Sequence, residues 1–487
     1  MTSSVVALTL MFAVVAVASF VGFYSGRHHQ MNLEQWTVGG RQFGLLLVWL
    51  LMAGEVYTTF SFLGASGWAY SRGGPTLYII AYLTLTYVVS FYILPLVWEL
   101  GRKHGLQTQP DFFRQRYGNK YLAALVALIG VACIVPYLQL QLTGLGIIME
   151  VASSGGISPP VAMLISFALV AAFVSASGIR AVAWVSVMKD VMMVLAVLFI
   201  GIAIPYIYFG GIGQMFAALA QAKPTHLVMP GATKVLGHGW YVSTVLLCSF
   251  GGYMWPHSFG AAYSAKSSNT LRRNAVLMPL YTLMLPLVFM AGFAAILVVP
   301  NLQNGDLSLI TVVSKTFPAW VLGLVGAAGA LTAMVPSAII LLTAATLFAK
   351  NFYRPVISPG MSDDQVAKFA KILVVVITGI ALYFAIYSSS TLVALLLIGY
   401  DGVSQFLPGV LFGLFWKRVT MTGVFAGIVL GEVVAGVLVL GGNDPFFGMN
   451  AGFVAVCLNF VVTVGVSMLT PVHASGFDDV VPEAMAQ

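Results

Sequence analysis

Long apolar runs, separated by short polar segments, follow one another along almost the whole chain. Thirteen of them reach the length of about 20 residues that an α-helix needs to cross the hydrocarbon core of a bilayer. They are too long and too uniformly apolar to be the strands of a membrane barrel, so we expect helices. Their approximate limits are 4–24, 43–69, 74–100, 121–150, 157–178, 183–209, 237–263, 271–299, 318–349, 367–388, 391–416, 420–441 and 449–470.

The composition indicates the same class, an all-α integral membrane protein that lies in a lipid bilayer. The 487 residues are 60% hydrophobic and only 8% charged, whereas soluble domains average about 25% charged residues. The net charge of +7 does not indicate a nucleic-acid partner, because the basic residues are spread over short loops and form no single patch. Cys133, Cys248 and Cys457 lie in apolar runs without paired spacing, and we expect buried free thiols.

The distribution of lysine and arginine predicts the orientation, since basic loops stay on the cytoplasmic side of a membrane. With the N-terminus outside, 17 basic residues fall in inward loops and only 4 in outward loops. We interpret the first run as a retained helix, because residues 1–3 carry no basic residue and twelve spans follow. We therefore expect a multi-pass protein of the inner membrane with a cytoplasmic C-terminus, whose short acidic tail is loose. The oligomeric state stays open.

Two of the runs carry glycine or proline where the middle of the membrane is expected. The second contains "LLMAGEVYTTFSFLGASGWAYSRGG" and the seventh contains "CSFGGYMWPHSFGAAYSA". These residues weaken a helix, and unwound backbone at that depth is tolerated only where it lines a cavity or is buried in protein. The alternative is that the glycines serve close helix packing.

The interrupted runs are five apart, which favours an inverted repeat with the substrate site at the midplane between its halves. The first half would comprise runs 2–6 and the second half runs 7–11. The predicted divisions are an N-terminal helix and loop over 1–42, the repeats over 43–236 and 237–419, and two peripheral helices with the tail over 420–487.

Several motifs resemble the sodium:solute symporter family over nearly the whole chain. They are "GGRQFG" (39–44), "QTQPDFFRQRYG" (107–118), "GIRAVAWVSVMKD" (178–190) and "LPGVLFGLFWKRVTMTGVFAG" (407–427). The stretches "GEVYTTFSFLGASGWAYSRG", "WVSVMKD" and "MWPHSF" are similar to the bacterial monocarboxylate-permease branch. The resemblance implies thirteen helices in a leucine-transporter-like, five-plus-five inverted repeat with one extra N-terminal and two extra C-terminal helices. It also implies uptake of a small carboxylate such as pyruvate, lactate, propionate or acetate.

The resemblance further implies the positions of a sodium site. Backbone carbonyls would come from Gly54, Tyr57 and Thr332, and an acidic residue would stand where this chain has Ser186. Two adjacent hydroxyl residues complete the family's site.

In this chain the hydroxyl pair falls on Val335 and Pro336, which have no side-chain oxygen. By analogy with other hard cations, sodium needs about five or six oxygens, so this site would be short of ligands. A shift of the alignment by one residue would bring in Ser337.

Lys189 lies in the same stretch that lacks the acid. In some proton-coupled relatives of this fold, a lysine from the equivalent helix takes the sodium position. We therefore hypothesise that the Lys189 ammonium binds the carbonyls of Gly54 and Tyr57 near Thr332, and that H⁺ replaces Na⁺ as the coupling ion. The alternative is a side chain that reaches the headgroups, since Lys189 is about six residues, or roughly 9 Å, from the helix end. Asp190 is rotated by about 100° and is expected to point elsewhere, as a structural residue.

Other polar residues in the membrane are candidates for function. Glu55 is interpreted as a proton acceptor, or as a neutral acid that stabilises the helix break. Asp401 is a gate or a structural contact, and Glu432 is structural. A half-helix N-terminus favours a carboxylate, and hydroxyl, amide and imidazole groups could orient it. The expected substrate residues are Tyr57, Thr58, Ser61, Tyr137, Gln139, Tyr253, Trp255 and His257.

The sequence thus favours a secondary active symporter for a short monocarboxylate that works by alternating access. A sodium-coupled symporter of another small solute, such as proline or pantothenate, is the near alternative. A transporter-like sensor is disfavoured because no signalling domain follows the last run. No enzyme is expected and no cofactor, since neither a metal-spaced His/Cys cluster, nor a phosphate loop, nor a nucleophile–base motif stands out.

Overall fold

The computed structural model describes residues 3–26, 38–176 and 179–472. Within these ranges the regular secondary structure is helical, with no strand beyond isolated bridges. The acidic tail predicted to be loose lies outside the described residues. The helices are α1 Ser3–Gly26, α2 Leu45–Val56, α3 Ala65–Ser71, α4 Tyr78–His104, α5 Gln109–Tyr117, α6 Lys120–Ala152, α7 Pro159–Ala176, α8 Ile179–Phe209, α9 Ile212–Ala222, α10 His238–Gly251, α11 Pro256–Ser264, α12 Ser268–Thr282, α13 Leu285–Val298, α14 Ser308–Thr316, α15 Ala319–Thr346, α16 Asp363–Tyr387, α17 Leu392–Val403, α18 Leu407–Phe415, α19 Met421–Leu440 and α20 Ala451–Leu469.

The described helices agree with a multi-pass membrane protein. Ten helical segments are long and apolar enough to cross a membrane, and the bent pair Leu45–Val56 and Phe60–Ser71 makes eleven if it counts as one span. The other two predicted spans correspond to the shorter apolar helix α7 and to the interrupted pair α10 and α11. The number of thirteen crossings therefore stays a prediction.

The first predicted break is confirmed. Helix α2 ends at Val56, and Tyr57 is extended, with φ −93° and ψ 92°. The chain resumes at Phe60–Gly64 as a wide π-type turn that leads into α3, and the two segments are bent by 54°. This bend leaves backbone carbonyls of α2 without helical partners in the interior of the protein.

The second predicted break is also confirmed. Helix α10 ends at Gly251, and α11 begins at Pro256 with Trp255 as its N-cap residue. Proline suits this position because it has no N–H group to leave unpaired. A Cβ atom on Gly251 would lie 2.0 Å from the Ser404 Oγ atom, so close packing explains this glycine as well.

The packing of the helices brings the two breaks together. Helix α2 packs against α8, α12 and the second broken segment α11. Helix α1 lies against α15 and α8, while α19 and α20 pack against each other and against α17. The broken segments therefore lie inside a shell of continuous helices. Of the three cysteines, Cys133 and Cys248 are buried free thiols as predicted, whereas Cys457 is exposed, so its predicted burial is wrong.

A polar network joins α5 to the helical segment Leu347–Ile357 that follows α15. The Lys350 ammonium lies 2.8 Å from Asp111 Oδ2, and Asn351 Nδ2 donates to Asp111 Oδ1 at 2.8 Å. The backbone N–H groups of Gln107 and Thr108 also donate to Asp111, each at 3.0 Å. Burial alone would raise the pKa of Asp111, but Lys350 and these hydrogen bonds hold it below its ordinary value.

This network predicts a pH-dependent contribution to stability. Because the pKa of Asp111 is lowered in the folded protein, its stabilising effect is present at neutral pH and is lost as the pH falls through the folded-state pKa. We expect Asp111→Asn to lower the free energy of unfolding in detergent at pH 7 by about 1–3 kcal/mol. The difference from wild type should shrink below about pH 4.

The exposed Asp364, which lies 3.7 Å from Lys368, provides a matched control. Thermal unfolding of Asp364→Asn should differ little from wild type, because exposed ion pairs contribute little. Equal effects of the two substitutions would contradict the assigned role of Asp111.

Candidate functional site

A cavity lies where the two breaks meet, with about 570 Å³ of space free of atoms, part of it open to the surroundings. Its walls come from α2, the turn after it, α4, α6, the second break, α12 and α17. Most of the lining is aromatic or apolar, with a few polar groups, as in many small-molecule sites. The lining residues are Met52, Glu55, Val56, Phe60, Tyr82, Leu83, Thr86, Tyr87, Tyr137, Gly252, Tyr253, Trp255, His257, Ser258, Met278, Leu396 and Tyr400.

Half of the residues expected to bind substrate line this cavity. Tyr137, Tyr253, Trp255 and His257 are all among its walls. The Tyr137 ring lies 5.1 Å from the Trp255 ring and 5.7 Å from the His257 ring, measured between centroids. Helix α6 and the second break therefore supply one continuous aromatic wall.

The other four expected residues are not in the cavity walls, and each has a partner within the protein. Tyr57 donates its hydroxyl to the Tyr281 carbonyl at 2.9 Å, and the Thr58 hydroxyl accepts from the Phe60 N–H at 3.2 Å. Ser61 donates to the Val56 carbonyl. Gln139 donates to the Phe384 carbonyl at 3.3 Å, on the opposite side of α6 from the cavity.

Several lining residues were missed by the sequence analysis. Tyr82 and Tyr87 lie in the long apolar helix α4, where a tyrosine gives no signal that separates a cavity wall from ordinary packing. Tyr400 could have been found, since it directly precedes the intramembrane Asp401. Ser258 follows His257 in the second break and could have been included with it.

Glu55 places a carboxyl group in the cavity. Its Oε2 atom accepts a hydrogen bond from the Ser258 hydroxyl at 3.2 Å, while Oε1 is buried without a hydrogen-bond partner. The backbone carbonyl of Glu55 accepts from the Tyr137 hydroxyl at 3.2 Å. No lysine or arginine is found among the described lining residues.

His257 lies at the start of α11 and lines two cavities. Its side chain is 3% exposed, and its Nδ1 atom has no hydrogen-bond partner. The second cavity, with about 420 Å³ of space free of atoms that is partly open to the surroundings, is lined by Gln107, Thr108 and Thr346 among others. His257 and Pro256 therefore stand between the central cavity and the region of the Asp111 network.

Lys189 lies on α8 behind the first break, with its side chain fully buried. Its Nζ atom donates to the Gly54 carbonyl at 3.2 Å and to the Tyr57 carbonyl at 3.3 Å. The ammonium thus satisfies the two carbonyls that the bend releases, as the hypothesis expected. These contacts are incompatible with the alternative in which the side chain extends to the headgroups.

The expectation that Asp190 points away from Lys189 is wrong. The Lys189 Nζ atom lies 2.9 Å from Asp190 Oδ1, and Tyr281 donates its hydroxyl to the same oxygen at 2.7 Å. The rotation of about 100° per residue fixes only the Cα–Cβ directions. The long lysine side chain reaches back to the point between α8, α2 and α12 where the carboxylate ends. Asp190 Oδ2 has no partner.

The remaining residues of the expected ion site direct their hydroxyls to their own helices. Thr332 donates to Gly329 at 2.7 Å and Ser186 donates to Val182 at 3.0 Å. Ser337, which a shifted alignment would have introduced, donates to Ala333 at 2.7 Å. Val335 and Pro336 are buried in α15.

Two other intramembrane acids lie outside the central cavity. Asp401 is 3% exposed and packs against the first turn of α20, where a Cβ atom on Gly452 would come within 2.2 Å of its Oδ1 atom. Glu432 lies in the middle of α19 with its Oε1 atom buried and unpartnered. Neither is among the lining residues of the cavity.

Solved structures show the same fold with low sequence identity. A Na⁺-coupled sialic acid symporter in a substrate-bound, outward-open state superimposes with a TM-score of 0.79 at 17% identity, over 96% of this chain and 98% of that one. A nucleobase-cation-symport-1 family transporter in a closed conformation gives a TM-score of 0.57 at 14% identity, over 94% and 99% of the two chains.

Sequence relatives cover nearly the whole length of the chain. The uncharacterized symporter YhjB of Bacillus subtilis (strain 168) is 46% identical over 477 residues, 95% of this chain and 97% of that protein. The monocarboxylate transport permease protein of Rhizobium johnstonii is 28% identical over 487 residues, 96% and 98% of the two chains. The model of the sodium:solute symporter family matches residues 36–431. The chain therefore belongs to the sodium:solute symporter family of membrane transporters.

Proposed function

We propose that this protein imports a short monocarboxylate such as pyruvate, lactate, propionate or acetate together with H⁺. Membership of the family makes it a symporter of a small solute. The kind of solute is inferred from the relative of Rhizobium johnstonii that is named a monocarboxylate transport permease protein. The coupling ion is inferred from this chain's own residues, above all from the position of the Lys189 ammonium.

The Lys189 ammonium supports proton coupling because it stands where the family's sodium ion is expected. It already binds the carbonyls of Gly54 and Tyr57, and Asp190 balances its charge. A sodium ion at the same carbonyls would meet a positive charge at short range. It would also lack two oxygen ligands, because Val335 and Pro336 stand where the family's site has hydroxyl side chains.

The start of α11 supports an anionic solute. Trp255, its N-cap residue, provides no side-chain cap. Pro256 has no N–H group, and the Ser258 N–H donates to the Trp255 carbonyl at 3.0 Å. The His257 N–H is therefore the group of this turn that could bind a carboxylate, and the helix dipole favours negative charge there. Trp255, His257 and Ser258 bring this turn into the cavity wall. The small apolar end of a monocarboxylate would lie against residues such as Phe60 and Leu396.

Alternating access would open the cavity to each side of the membrane in turn. The second cavity beyond His257 and the Asp111 network beside it would form the route to one side. The excess of basic residues in the loops on that side supports its assignment as cytoplasmic. We propose accordingly an inner-membrane protein with the N-terminus outside and with two inverted repeats that move against each other.

Uptake into proteoliposomes tests the proposal. We expect an inward pH gradient, acidic outside, to drive accumulation of labelled pyruvate in sodium-free buffer, and an imposed sodium gradient at equal pH to add nothing. Strict dependence on sodium would contradict proton coupling. Relatives named sodium/pantothenate and sodium/proline symporters, each 24% identical, define the solutes to test if pyruvate is not taken up under either gradient.

The ion pair behind the first break predicts an asymmetric effect of substitution on stability. Lys189→Met leaves the Asp190 carboxylate buried without its cation, which costs about 3–5 kcal/mol when a buried pair is broken. The double variant Lys189→Met/Asp190→Asn removes both charges and should recover a large part of this loss. The free energies of unfolding of wild type and of the two variants, measured in detergent, test this expectation.

Lys315→Met provides the matched control for the Lys189 variants. The Lys315 ammonium donates to a single carbonyl, that of Val298, at 2.7 Å, and we expect a smaller loss of stability. If the Lys189→Met/Asp190→Asn variant is no more stable than Lys189→Met, the pair does not act as a buried ion pair.

A further inference from the structure

We propose that the transported proton is held by Glu55 and is shared there with the carboxylate of the substrate. The Lys189–Asp190 ion pair stays intact, with both groups charged, throughout the transport cycle. This inference rests on the proposed function and specifies where its coupling proton is bound. It makes transport electroneutral, with one proton for each monocarboxylate.

The geometry places the Glu55 carboxyl group at the point where a substrate carboxylate would bind. Its Oε2 atom accepts from Ser258, in the first turn of α11, so the side chain lies at the helix start that favours an anion. Its Oε1 atom has no hydrogen-bond partner. Among the described lining residues, Glu55 is the one acidic side chain, and no lysine or arginine faces it from the cavity wall.

Two carboxylates at such a site cannot both remain charged without strong mutual repulsion. In a cavity of aromatic walls this repulsion is screened poorly, and one bound proton converts it into a hydrogen bond between the two groups. The proton forms an O–H bond on one carboxyl group and is accepted by an oxygen of the other. When the substrate leaves, the proton leaves with it, so one negative and one positive charge cross together.

The Lys189–Asp190 pair is poorly placed to exchange this proton. The side chains of Lys189 and Asp190 are 0% and 4% exposed, and neither residue lines the cavity. The ammonium makes two further hydrogen bonds to backbone carbonyls. Removing its proton would leave those carbonyls and the Asp190 carboxylate without a charged partner.

The other titratable groups around Glu55 are tyrosines and one histidine. Tyrosine hydroxyls ordinarily ionise near pH 10, so they stay protonated over the range in which a carboxylate exchanges protons. His257 is the rival site, because its Nδ1 atom is also unpartnered. A proton on His257 alone would leave the charge of Glu55 facing the substrate. The titratable groups that share the cavity lining with Glu55 are Tyr137 on α6, Tyr253 and His257 at the second break, Tyr82 and Tyr87 on α4, and Tyr400 on α17. Lys189 on α8, paired with Asp190, is the charged group nearby that lies outside the lining.

Linkage provides a test on the wild-type protein. Because proton binding and substrate binding stabilise each other, the affinity for pyruvate should depend on pH. It should fall about tenfold for each pH unit above the pH at which Glu55 of the substrate-free protein loses its proton. At a pH within the range where this tenfold dependence holds, binding of pyruvate to the purified protein in weakly buffered detergent should take up about one proton per molecule bound, read with a pH indicator. Pyruvate binding without proton uptake would overturn this inference and leave the choice of substrate standing. Absence of pyruvate binding at any pH would overturn the proposed function as well.

Substitution then assigns the proton to a residue. Glu55→Gln mimics the protonated acid, so its affinity for pyruvate should not change with pH, and it should lose accumulation driven by a pH gradient. Glu432→Gln, the same change at an intramembrane acid outside the cavity, should keep the tenfold dependence. If Glu55→Gln keeps that dependence while His257→Asn loses it, the proton belongs to His257 and the inference is wrong.

The charge balance is tested separately in proteoliposomes. A pH gradient should drive pyruvate accumulation by the wild-type protein, whereas a membrane potential at equal pH should not. Accumulation driven by the potential would mean that net charge crosses with the substrate, and it would overturn the electroneutral symport of one proton with each monocarboxylate.

Discussion

The satisfaction of polar backbone groups inside the membrane is the constraint on which the rest of this structure depends. A helix that bends in mid-membrane releases carbonyls that water cannot reach, and each unpaired group costs several kcal/mol. At the first break, the Lys189 ammonium binds the released carbonyls of Gly54 and Tyr57. Asp190 and the Tyr281 hydroxyl then compensate its charge. Three helices, α2, α8 and α12, are thereby held together at one buried point.

The cavity follows from the same interruption of helices. Because α2 ends at Val56 and α11 begins only at Pro256, space remains between their facing ends, and aromatic side chains from α4, α6 and α17 close it. The carboxyl group of Glu55, the start of α11, Thr86 and the tyrosine hydroxyls are the polar features of an otherwise apolar lining. The first break thus has the Lys189–Asp190 ion pair on one side and the carboxyl group of Glu55, which can gain or lose a proton, on the other.

The sequence predicts the breaks because glycine and proline act locally, and both appear where the pattern indicates. The lysine contacts are predicted only through the family resemblance, which implies the carbonyls of Gly54 and Tyr57 and a lysine in the sodium position. The sequence does not predict the Lys189–Asp190 pair, because helical periodicity describes Cβ directions and not the reach of a flexible side chain. Tyr82 and Tyr87 are missed because a tyrosine on a long apolar helix has the same local pattern whether it faces a cavity or a neighbour. Thr58 and Gln139 are polar in sequence but find partners within the protein.

A cation that is covalently attached has a different thermodynamic role from one that is bound from solution. A sodium ion that enters and leaves during the cycle links the geometry of the helix break to the sodium gradient. The Lys189 ammonium cannot leave, so the gradient can act only through its proton or through another group that exchanges with water. The ammonium is engaged by two carbonyls and a carboxylate, and deprotonation would disturb all three contacts. Glu55 is in contact with the cavity and keeps one oxygen unpartnered. Under the proposed proton coupling, Lys189 would stabilise the break and Glu55 would take up the coupling ion, so that two residues would share the work of one sodium ion.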